Sequence, residues 1–346
     1  MDFKLFSKLS ALPAASGREE LLRAEITKII KPFVDEVKVD SMGNLIALKK
    51  GKGLKKLMLA AHMDEVALRI RHIDDKGFLR FITTGGVDPR TLLSQRVLIQ
   101  TEENGLIHGV IGSKPAHYLT PQDAAKPITL ESLFIDTGLS KEEAFKKITI
   151  GDPAVLDRQP IELGGDFFSA RAIDDRAGVY VLIKLLEQLP KKPQVDIYFV
   201  FTTQEERGLI GAQTAAARIN PDIALAIDTT GALDVPGVTP QDYVLQAGKG
   251  IGITLVDALT IAHSGLAKHL REIAAKNKIP HQLRVSPKGG NDASAMQKSN
   301  GGVPACALSV PVRYIHSNVE VANKKDIDAA QKLVALFIEQ CASKKY

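Results

Sequence analysis

Short, largely apolar runs alternate with amphipathic segments over most of this chain. Such runs are typical of strands that are buried on both faces of a sheet. Residues 57–61 and 223–227 are wholly apolar, residues 195–201 and 303–310 are nearly so, and a further strand is predicted at residues 281–285. Apolar positions at helical spacing predict helices at residues 17–30, 174–189, 264–276 and 325–341. Strands that alternate with helices predict a mostly parallel central sheet with both faces covered, and therefore the α/β fold class.

The pattern of apolar and polar residues changes between residues 67 and 163. Here short segments of alternating apolar and polar residues are broken by Gly, Pro and Asn, a pattern typical of a small β-rich domain. The predicted strands lie at residues 78–83, 95–101, 106–111 and 154–157. We therefore expect one α/β domain, formed by residues 1–66 and 164–346, that is interrupted by a β-rich insertion at residues 67–163.

Composition places the chain among ordinary globular proteins. Its 346 residues are 45% hydrophobic and 25% charged, which is enough apolar material for a large core. The formal net charge of +5 raises the question of nucleic acid. The densest basic stretch, KKGKGLKK at residues 49–56, lacks the aromatic and arginine side chains that stack on bases. We therefore expect no nucleic-acid partner.

The sequence also predicts the compartment. No apolar run approaches the roughly 18 residues of a membrane-spanning helix. The N-terminal segment carries charges throughout and lacks the apolar core of a signal peptide. Two cysteines, Cys306 and Cys341, lie in apolar surroundings, so we expect buried thiols and no disulfide framework. These features predict a cytoplasmic protein without a membrane partner.

Histidines and carboxylates follow the predicted buried strands. In open α/β sheets, functional groups gather beyond the carboxyl ends of the strands, so these side chains are expected at one edge of the sheet. Histidine and carboxylate groups are suited to zinc, cobalt or manganese. The residues that follow strands are His62, Asp64, Glu205, Glu206, Asp228 and His316, and the pair Asp174 and Asp175 opens a helix.

None of these motifs is specific alone, because a lone strand-end Asp usually caps a helix and adjacent glutamates usually face solvent. Their order and shared placement favour a two-metal hydrolytic site. In such a site one carboxylate bridges two ions, the other ligands divide between them, and one further glutamate is free to act as a base.

The chain resembles the tetrahedral (TET-type) dinuclear metallo-aminopeptidases, which include glutamyl aminopeptidases and FrvX-like proteins. The motifs that carry the resemblance span nearly the whole chain in the family's order. They are AHMDEV at 61–66, GVIGSKP at 109–115, LFID at 133–136, IGDP at 150–153, AIDDRAG at 172–178, QEE at 204–206, GGND at 289–292 and RYIHS at 313–317. The resemblance implies a phosphorylase/hydrolase-like catalytic domain with a PDZ-like insertion, and dimers that assemble into a homo-oligomeric dodecamer.

The resemblance also assigns roles to individual residues. One divalent ion would be held by His62, Asp174 and Glu206. The other would be held by Asp174, Asp228 and His316. Asp174 would bridge the two ions, with Asp175 as the alternative bridge. Glu205 would be the general base, and Asp64 would accept the second imidazole N–H of His62.

The expected activity is metal-dependent removal of N-terminal residues from peptide substrates, with zinc favoured over cobalt or manganese. The alternatives are a deacylase or carboxypeptidase on the same metal scaffold, and a non-catalytic assembly protein that kept the fold. Two positions depart from the family pattern, Asn291 where Thr is usual and Asn318 where Pro is frequent. Every expected ligand lies outside residues 67–163, so we expect the sheet to position its ligands without the insertion.

Overall fold

Helices and strands alternate along most of the chain, as the hydrophobic pattern predicts. The computed structural model describes residues 1–346. The helices are α1 (Phe3–Ala11), α2 (Glu20–Ile30), α3 (Pro121–Ala124), α4 (Lys141–Lys147), α5 (Ile173–Gln188), α6 (Ile210–Ile219), α7 (Ser264–Lys276), α8 (Asp292–Gln297) and α9 (Lys324–Gln340). The strands are β1 (Glu36–Val39), β2 (Leu45–Lys49), β3 (Lys56–His62), β4 (Ala67–Ile73), β5 (Leu79–Thr84), β6 (Arg96–Gln100), β7 (Leu106–Gly112), β8 (Phe134–Asp136), β9 (Pro153–Leu156), β10 (Ile161–Glu162), β11 (Phe167–Ala170), β12 (Asp196–Thr202), β13 (Ile223–Gly231), β14 (Ile251–Val256), β15 (His281–Val285), β16 (Ala305–Val312) and β17 (Glu320–Asn323).

A large mixed sheet forms the centre of the molecule. Its eight strands lie in the order β1-β2-β12-β3-β13-β16-β14-β15. The middle pairs β12–β3, β3–β13 and β13–β16 are parallel, as expected. The sheet is not parallel throughout, because β1, β2 and β12 pair in antiparallel fashion and so do β14 and β16. The carboxyl ends of the parallel middle strands therefore meet at one edge.

Both faces of this sheet are covered, as the apolar runs predict. Alternate residues of β3 belong to different cores: Leu57 and Leu59 pack with α2, α5, α7 and α9, whereas Met58 and Ala60 pack with α6 and α8. Side chains of successive strand residues point to opposite faces, so a strand covered on both faces must be apolar at every position.

The β-rich texture corresponds to a separate closed barrel. Its strands follow the order β4-β5-β8-β7-β6-β9 and all lie within the predicted insertion. The barrel encloses a core of its own, which includes Ile70, Leu79, Val97, Ile111 and Ile135. A small three-stranded sheet, β10-β11-β17, lies outside both the barrel and the central sheet.

One helix was missed and one local prediction needed correction. Helix α1 was not predicted; Asp2 caps it, and Phe6 and Leu9 are fully buried on its inner face. Helix α5 was expected to open at Asp174, but Asp174 and Asp175 have non-helical backbone angles. The regular helix therefore begins after the pair, which leaves both carboxylates in an irregular turn.

The lysines of the basic stretch at residues 49–56 bind main-chain carbonyl groups of the protein itself. The ammonium group of Lys55 donates hydrogen bonds to the carbonyl oxygens of Ala342, at 2.9 Å, and Lys344, at 2.6 Å. Lys56 Nζ donates to the carbonyl of Ile219 at 3.0 Å. These lysines satisfy carbonyl groups near the ends of α9 and α6. None of the helices is both long and apolar enough to cross a membrane.

Candidate metal centre

Four strand ends bring the expected side chains to one cavity. His62 ends β3 opposite Thr202, the last residue of β12. Glu205 and Glu206 lie in the short 3-10 turn after β12, Asp228 lies near the end of β13, and His316 follows β16. These residues and Asp174 line one cavity of about 800 Å³, a volume typical of ligand sites.

Asp174 lies between the two histidines. Its Oδ1 is 3.1 Å from Nε2 of His62, and its Oδ2 is 3.2 Å from Nε2 of His316. The alternative residue, Asp175, is fully buried and both of its oxygens accept main-chain hydrogen bonds, from His62 N at 3.2 Å and Gly178 N at 2.8 Å. This geometry favours Asp174 for any role that involves both histidines.

The carboxylates divide between the histidines differently from the assignment that the resemblance implied. Nε2 of His62 lies 3.8 Å from Asp228, and Nε2 of His316 lies 3.3 Å from Glu206. His62, Glu205 and Asp228 form one group whose ligand atoms all lie within 4.8 Å of one another, and Asp174, Glu206 and His316 form another. Glu206 therefore groups with His316, and Asp228 groups with His62.

Asp64 contacts the glutamates rather than the imidazole. Nδ1 of His62 is 3.0 Å from the main-chain carbonyl of Asp64, whereas the Asp64 carboxylate is 3.6 Å away and beyond hydrogen-bond distance. That carboxylate accepts hydrogen bonds from the main-chain N–H groups of Glu205, at 2.9 Å, and Glu206, at 3.2 Å. Asp64 thus fixes the turn that carries both glutamates.

Gly178 allows the close approach of α5 to β13. A Cβ atom at this position would lie 2.4 Å from the Asp175 carboxylate and 2.4 Å from the carbonyl oxygen of Ile227. A side chain would therefore push the start of the helix away from the strand that carries Asp228. This contact explains a physical need for glycine in the motif AIDDRAG.

Glu320 is part of the site, although the sequence analysis did not single it out. Its carboxylate accepts hydrogen bonds from the main-chain N–H groups of His316, at 2.7 Å, and Asp174, at 3.1 Å. His316 has a φ of 63°, a left-handed conformation that is unfavourable for a non-glycine residue and is frequently found at functional sites. The signal in the sequence was a carboxylate four residues after the histidine.

The insertion also helps to position the site, so the expectation that the sheet needs no help from it was wrong. Nδ1 of His316 is 2.9 Å from the carbonyl oxygen of Gly86, in the barrel segment that follows β5. A carbonyl partner at Nδ1 requires a proton there and leaves Nε2 directed at Asp174 and Glu206. Asn318 adds a second contact, because its Nδ2 donates to Oε1 of Gln95 at 2.7 Å.

The site holds more acid than its surroundings neutralise. Burial, followed by the charges of neighbouring carboxylates, raises the pKa of Glu206 to about 8 and that of Asp228 to about 7. Burial also raises the pKa of Glu205 well above its ordinary value. Burial disfavours a charged His316, but its contacts with Asp174 and Glu206 outweigh burial and raise the pKa to about 10. All these shifts have one cause, an excess of buried carboxylates, and a bound cation would stabilise their charged forms.

The donor set fits divalent metal ions. Each of the two groups combines one imidazole nitrogen with carboxylate oxygens, and Asp174 contacts the imidazoles of both. Imidazole and carboxylate are the donors that zinc and related transition metals take in hydrolytic sites. The mixed α/β fold and this site together define the class of the protein, an α/β hydrolytic enzyme.

The chain belongs to the M42 aminopeptidase family, whose members are hydrolases that act on peptides. The family model described as M42 glutamyl aminopeptidase matches residues 43–333. A lysyl aminopeptidase of Pyrococcus furiosus is 36% identical over 348 residues, which cover 98% of this chain and 97% of that protein.

Solved structures agree with this membership. Aminopeptidase APDkam598 from the archaeon Desulfurococcus kamchatkensis is 46% identical, with a TM-score of 0.93 over 97% of this chain and 94% of that one. The TET1 peptidase of Pyrococcus horikoshii is 38% identical, with a TM-score of 0.89 over 98% of this chain and 99% of that one. Its structure is described as able to assemble into a tetrahedron or a large octahedral shell.

Proposed function

We propose that this protein is a dinuclear metal-dependent aminopeptidase that removes N-terminal residues from peptides. The observation that carries the proposal is the pair of adjoining histidine and carboxylate groups around Asp174 at the carboxyl edge of the sheet. His62 and Asp228 would hold one ion, Glu206 and His316 the other, with Asp174 shared between them. Zinc is the favoured metal, and cobalt and manganese suit the same donors.

Two such ions, when bound, would polarise the scissile carbonyl and lower the pKa of the attacking water. The remaining work falls to the protein. Glu205 is placed beside His62 and Asp228, and burial raises the pKa of its carboxyl, so its carboxylate is a stronger base than that of an exposed glutamate. It takes the proton of the water and passes it to the leaving amine.

The position of Glu205 depends on Asp64. The Asp64 carboxylate accepts the main-chain N–H of Glu205, and it also accepts a hydrogen bond from Ser16 Oγ at 2.6 Å. Burial alone would raise the pKa of Asp64, but the nearby His62 and the hydrogen bonds from Ser16 and the Glu205 N–H outweigh burial and keep this pKa below its ordinary value. The Asp64 carboxylate therefore holds the turn that carries Glu205 through main-chain hydrogen bonds, which leaves the Glu205 side chain free for proton transfer.

The excess of carboxylates also suggests how the substrate is oriented. The free α-ammonium group of a peptide is a cation, and Coulomb attraction favours its binding beside the buried acids. A blocked N-terminus lacks that charge. This difference separates an aminopeptidase from a deacylase or a carboxypeptidase on the same scaffold.

The proposal is tested with matched substrates. Free and N-acetylated aminoacyl-anilides should be offered to protein that is stripped of metal and then reloaded separately with zinc, cobalt or manganese. Hydrolysis of the free substrates alone, and only after reloading, is the expected result. Cleavage of the acetylated series would support the deacylase instead, and no cleavage by protein shown to hold metal would support the assembly protein.

We further propose that residues 67–163 join subunits, as dimers that assemble into a dodecamer in the cytoplasm. The β-barrel presents large apolar side chains to solvent, with Ile82 48% exposed, Val110 49% exposed and Leu106 42% exposed. Exposed apolar surface of this kind is typical of contact sites. The assembly of the Pyrococcus horikoshii relative into a tetrahedron supports the same role, and the PDZ-like character of the barrel remains a prediction.

The assembly proposal is tested without deleting the barrel, because Gly86 supports His316. The double variant Ile82→Asp, Val110→Asp should lower the mass measured by light scattering. Hydrolysis of a small substrate should persist, since neither side chain lines the cavity of the site. An unchanged mass would contradict the assignment of this surface.

A further inference from the structure

We propose that the cavity beside the metal centre selects peptides whose first residue has an apolar side chain. The inference rests on the proposed aminopeptidase function and concerns this chain's own pocket walls. Its basis is a set of aliphatic side chains that line the cavity, two of them exposed, together with a buried arginine whose charge is already paired with an aspartate of the protein.

Large apolar side chains line the cavity together with the histidines and carboxylates. They come from four separate segments: Leu209, Leu233, Leu259 and Ile315. Leu233 is 39% exposed and Leu259 is 51% exposed, so neither is covered by the protein itself. Exposed aliphatic groups that converge on one cavity offer a surface that an apolar ligand side chain can cover.

Arg284 is the residue that could have made this pocket acid-selective. It lines the cavity, but its guanidinium is held by the protein. Nη1 donates to Asp257 Oδ2 at 3.2 Å, Nε donates to Thr230 Oγ1 at 3.1 Å, and Nη2 lies 3.4 Å from the carbonyl oxygen of Lys288. The side chains of Arg284 and Asp257 are 5% and 0% exposed, so the pair is a buried and neutral unit.

Further hydrogen bonds hold the Arg284–Asp257 pair in position. Asp257 Oδ1 accepts the main-chain N–H groups of Leu259, at 2.9 Å, and Thr260, at 2.8 Å. Asn291 donates from Nδ2 to Asp257 Oδ2 at 3.2 Å, and its Oδ1 accepts the N–H of Ala293 at 2.9 Å. Asn291, which departs from the family pattern, thus joins the pair to the start of α8.

The other two charged residues of the wall have opposite signs and are exposed to solvent. Asp242 and Lys288 both line the cavity, carry opposite charges and are solvent-exposed. The Asp242 carboxylate already accepts a hydrogen bond from Thr239 Oγ1 at 2.5 Å. Beyond the metal centre, therefore, neither a glutamate nor a lysine side chain of the substrate meets an uncompensated buried counter-charge. Each would lose hydration without an adequate partner.

The first experiment compares free aminoacyl-anilides of leucine, methionine, glutamate and lysine on the metal-loaded enzyme. The expected kcat/KM is at least about tenfold higher for leucine and methionine than for glutamate and lysine, the order of discrimination that a hydrophobic pocket supplies. A glutamate or lysine substrate that equals or exceeds leucine would overturn the inference, and the aminopeptidase function would stand.

A positive charge introduced among the residues that line the cavity should change which substrate side chain the enzyme prefers. Leu259→Arg adds a cation to the cavity at a half-exposed position, where folding tolerates a polar group. We expect the ratio of kcat/KM for glutamate over leucine to rise at least about tenfold, from combined loss of apolar contact and gain of charge. The matched control is Ile261→Arg, which adds the same charge two residues away at a position that is 70% exposed and does not line the cavity. Equal behaviour of the two variants would contradict the assigned pocket.

Binding keeps the two proposals separable. Leucinamide, glutamate α-amide and lysinamide each present a free α-amine and can be titrated calorimetrically into the metal-loaded protein. If no anilide is cleaved, the proposed function fails, and tighter binding of leucinamide still supports the apolar pocket. Tighter binding of the glutamate or lysine amide overturns the pocket, whatever the enzymatic result.

Discussion

Two clusters of buried charge lie side by side in this molecule and share neighbours in the sequence. In the first, Glu65 lies between Arg171 and Arg176, all nearly inaccessible to solvent. Arg176 Nη2 is 3.1 Å from Glu65 Oε1 and also donates to Leu12 O, and Nε donates to Leu9 O. The second cluster is the candidate metal centre, which begins one residue away at Asp64.

The clusters differ in how their charge is balanced. In the first cluster the Glu65 carboxylate contacts both guanidinium groups, so each charged side chain has a partner of opposite sign, although two arginines face one glutamate. We call it the balanced cluster in this sense of pairing, which buried charges require. In the second cluster, carboxylates outnumber the histidines that could neutralise them. Burial raises the pKa values of several of those acids, which shows that the fold alone does not stabilise their charges. Charges that are each paired within the protein serve structure, whereas the surplus acid of the metal centre favours a cationic ligand.

Removing the shared carboxylate should have the largest effect. Asp174→Ala is expected to abolish activity and to lose more bound metal than His62→Ala, because Asp174 faces both histidines and His62 would serve one ion. Elemental analysis of the purified variants measures the difference. Chelation of the wild type should also lower its melting temperature, since ligands that bind the folded state stabilise it.

Two results would contradict the dinuclear centre or the shared role of Asp174. Wild-type protein that holds no metal when purified under metal-replete conditions, and whose activity survives strong chelators, has no dinuclear centre. Equal metal loss in Asp174→Ala and His62→Ala would instead remove the shared role of Asp174.

The second prediction separates the adjacent glutamates. Glu205→Gln keeps the shape of the side chain but removes the base, so turnover should fall by at least about 10²-fold while metal content stays near the wild-type value. Glu206→Gln is the matched variant and should lose metal, because Glu206 groups with His316 and Asp174. Loss of metal in Glu205→Gln with retention in Glu206→Gln would exchange the two roles.

Much of the metal centre was predictable from sequence because it follows simple rules. Apolar runs such as residues 57–61 identify buried strands, and strand ends identify the edge where His62 and Asp228 meet. The helix at Ser264–Lys276 was predicted with its observed bounds. Cys306 and Cys341 are buried free thiols, as expected.

The rest depends on contacts between segments that are distant in the chain. The grouping of Glu206 with His316 is set by the path of the chain after β16, which no periodicity reveals. The hydrogen bond from His316 to Gly86 O links residues 230 positions apart. The balanced cluster was not predicted for the same reason: Glu65 and Arg171 are separated by 106 positions, and each has the appearance of a surface charge in the sequence.

The third prediction tests the balanced cluster. Glu65→Gln leaves two buried arginines without their counter-charge, which should lower the free energy of unfolding by about 3–5 kcal/mol. Urea unfolding of the metal-loaded protein measures the change, and the folded variant should retain its metal. Asp75→Asn, which removes an exposed partner of Lys141, is the control and should leave the unfolding midpoint nearly unchanged. A stability loss as small as that of the control would show that the cluster is not balanced by Glu65.

The last and smallest effect concerns two buried serines, one at each cluster. Ser16 Oγ donates to the Asp64 carboxylate at 2.6 Å, and Ser10 Oγ donates to the carbonyl oxygen of Arg171 at 2.7 Å. Ser16→Ala should cost about 1.5–3 kcal/mol, since its acceptor is charged, and Ser10→Ala about 0.5–1.5 kcal/mol.

The two substitutions should differ in catalysis as well. Without the Ser16 hydroxyl, Asp64 still accepts the N–H groups of Glu205 and Glu206 but is less firmly held, so kcat should fall within about tenfold and KM should change little. Ser10→Ala should leave kcat unchanged, because its partner belongs to the balanced cluster. Steady-state kinetics with urea unfolding on both variants provides the comparison. An equal loss of kcat in both would mean that the clusters act as one unit, because stability alone would then govern the rate.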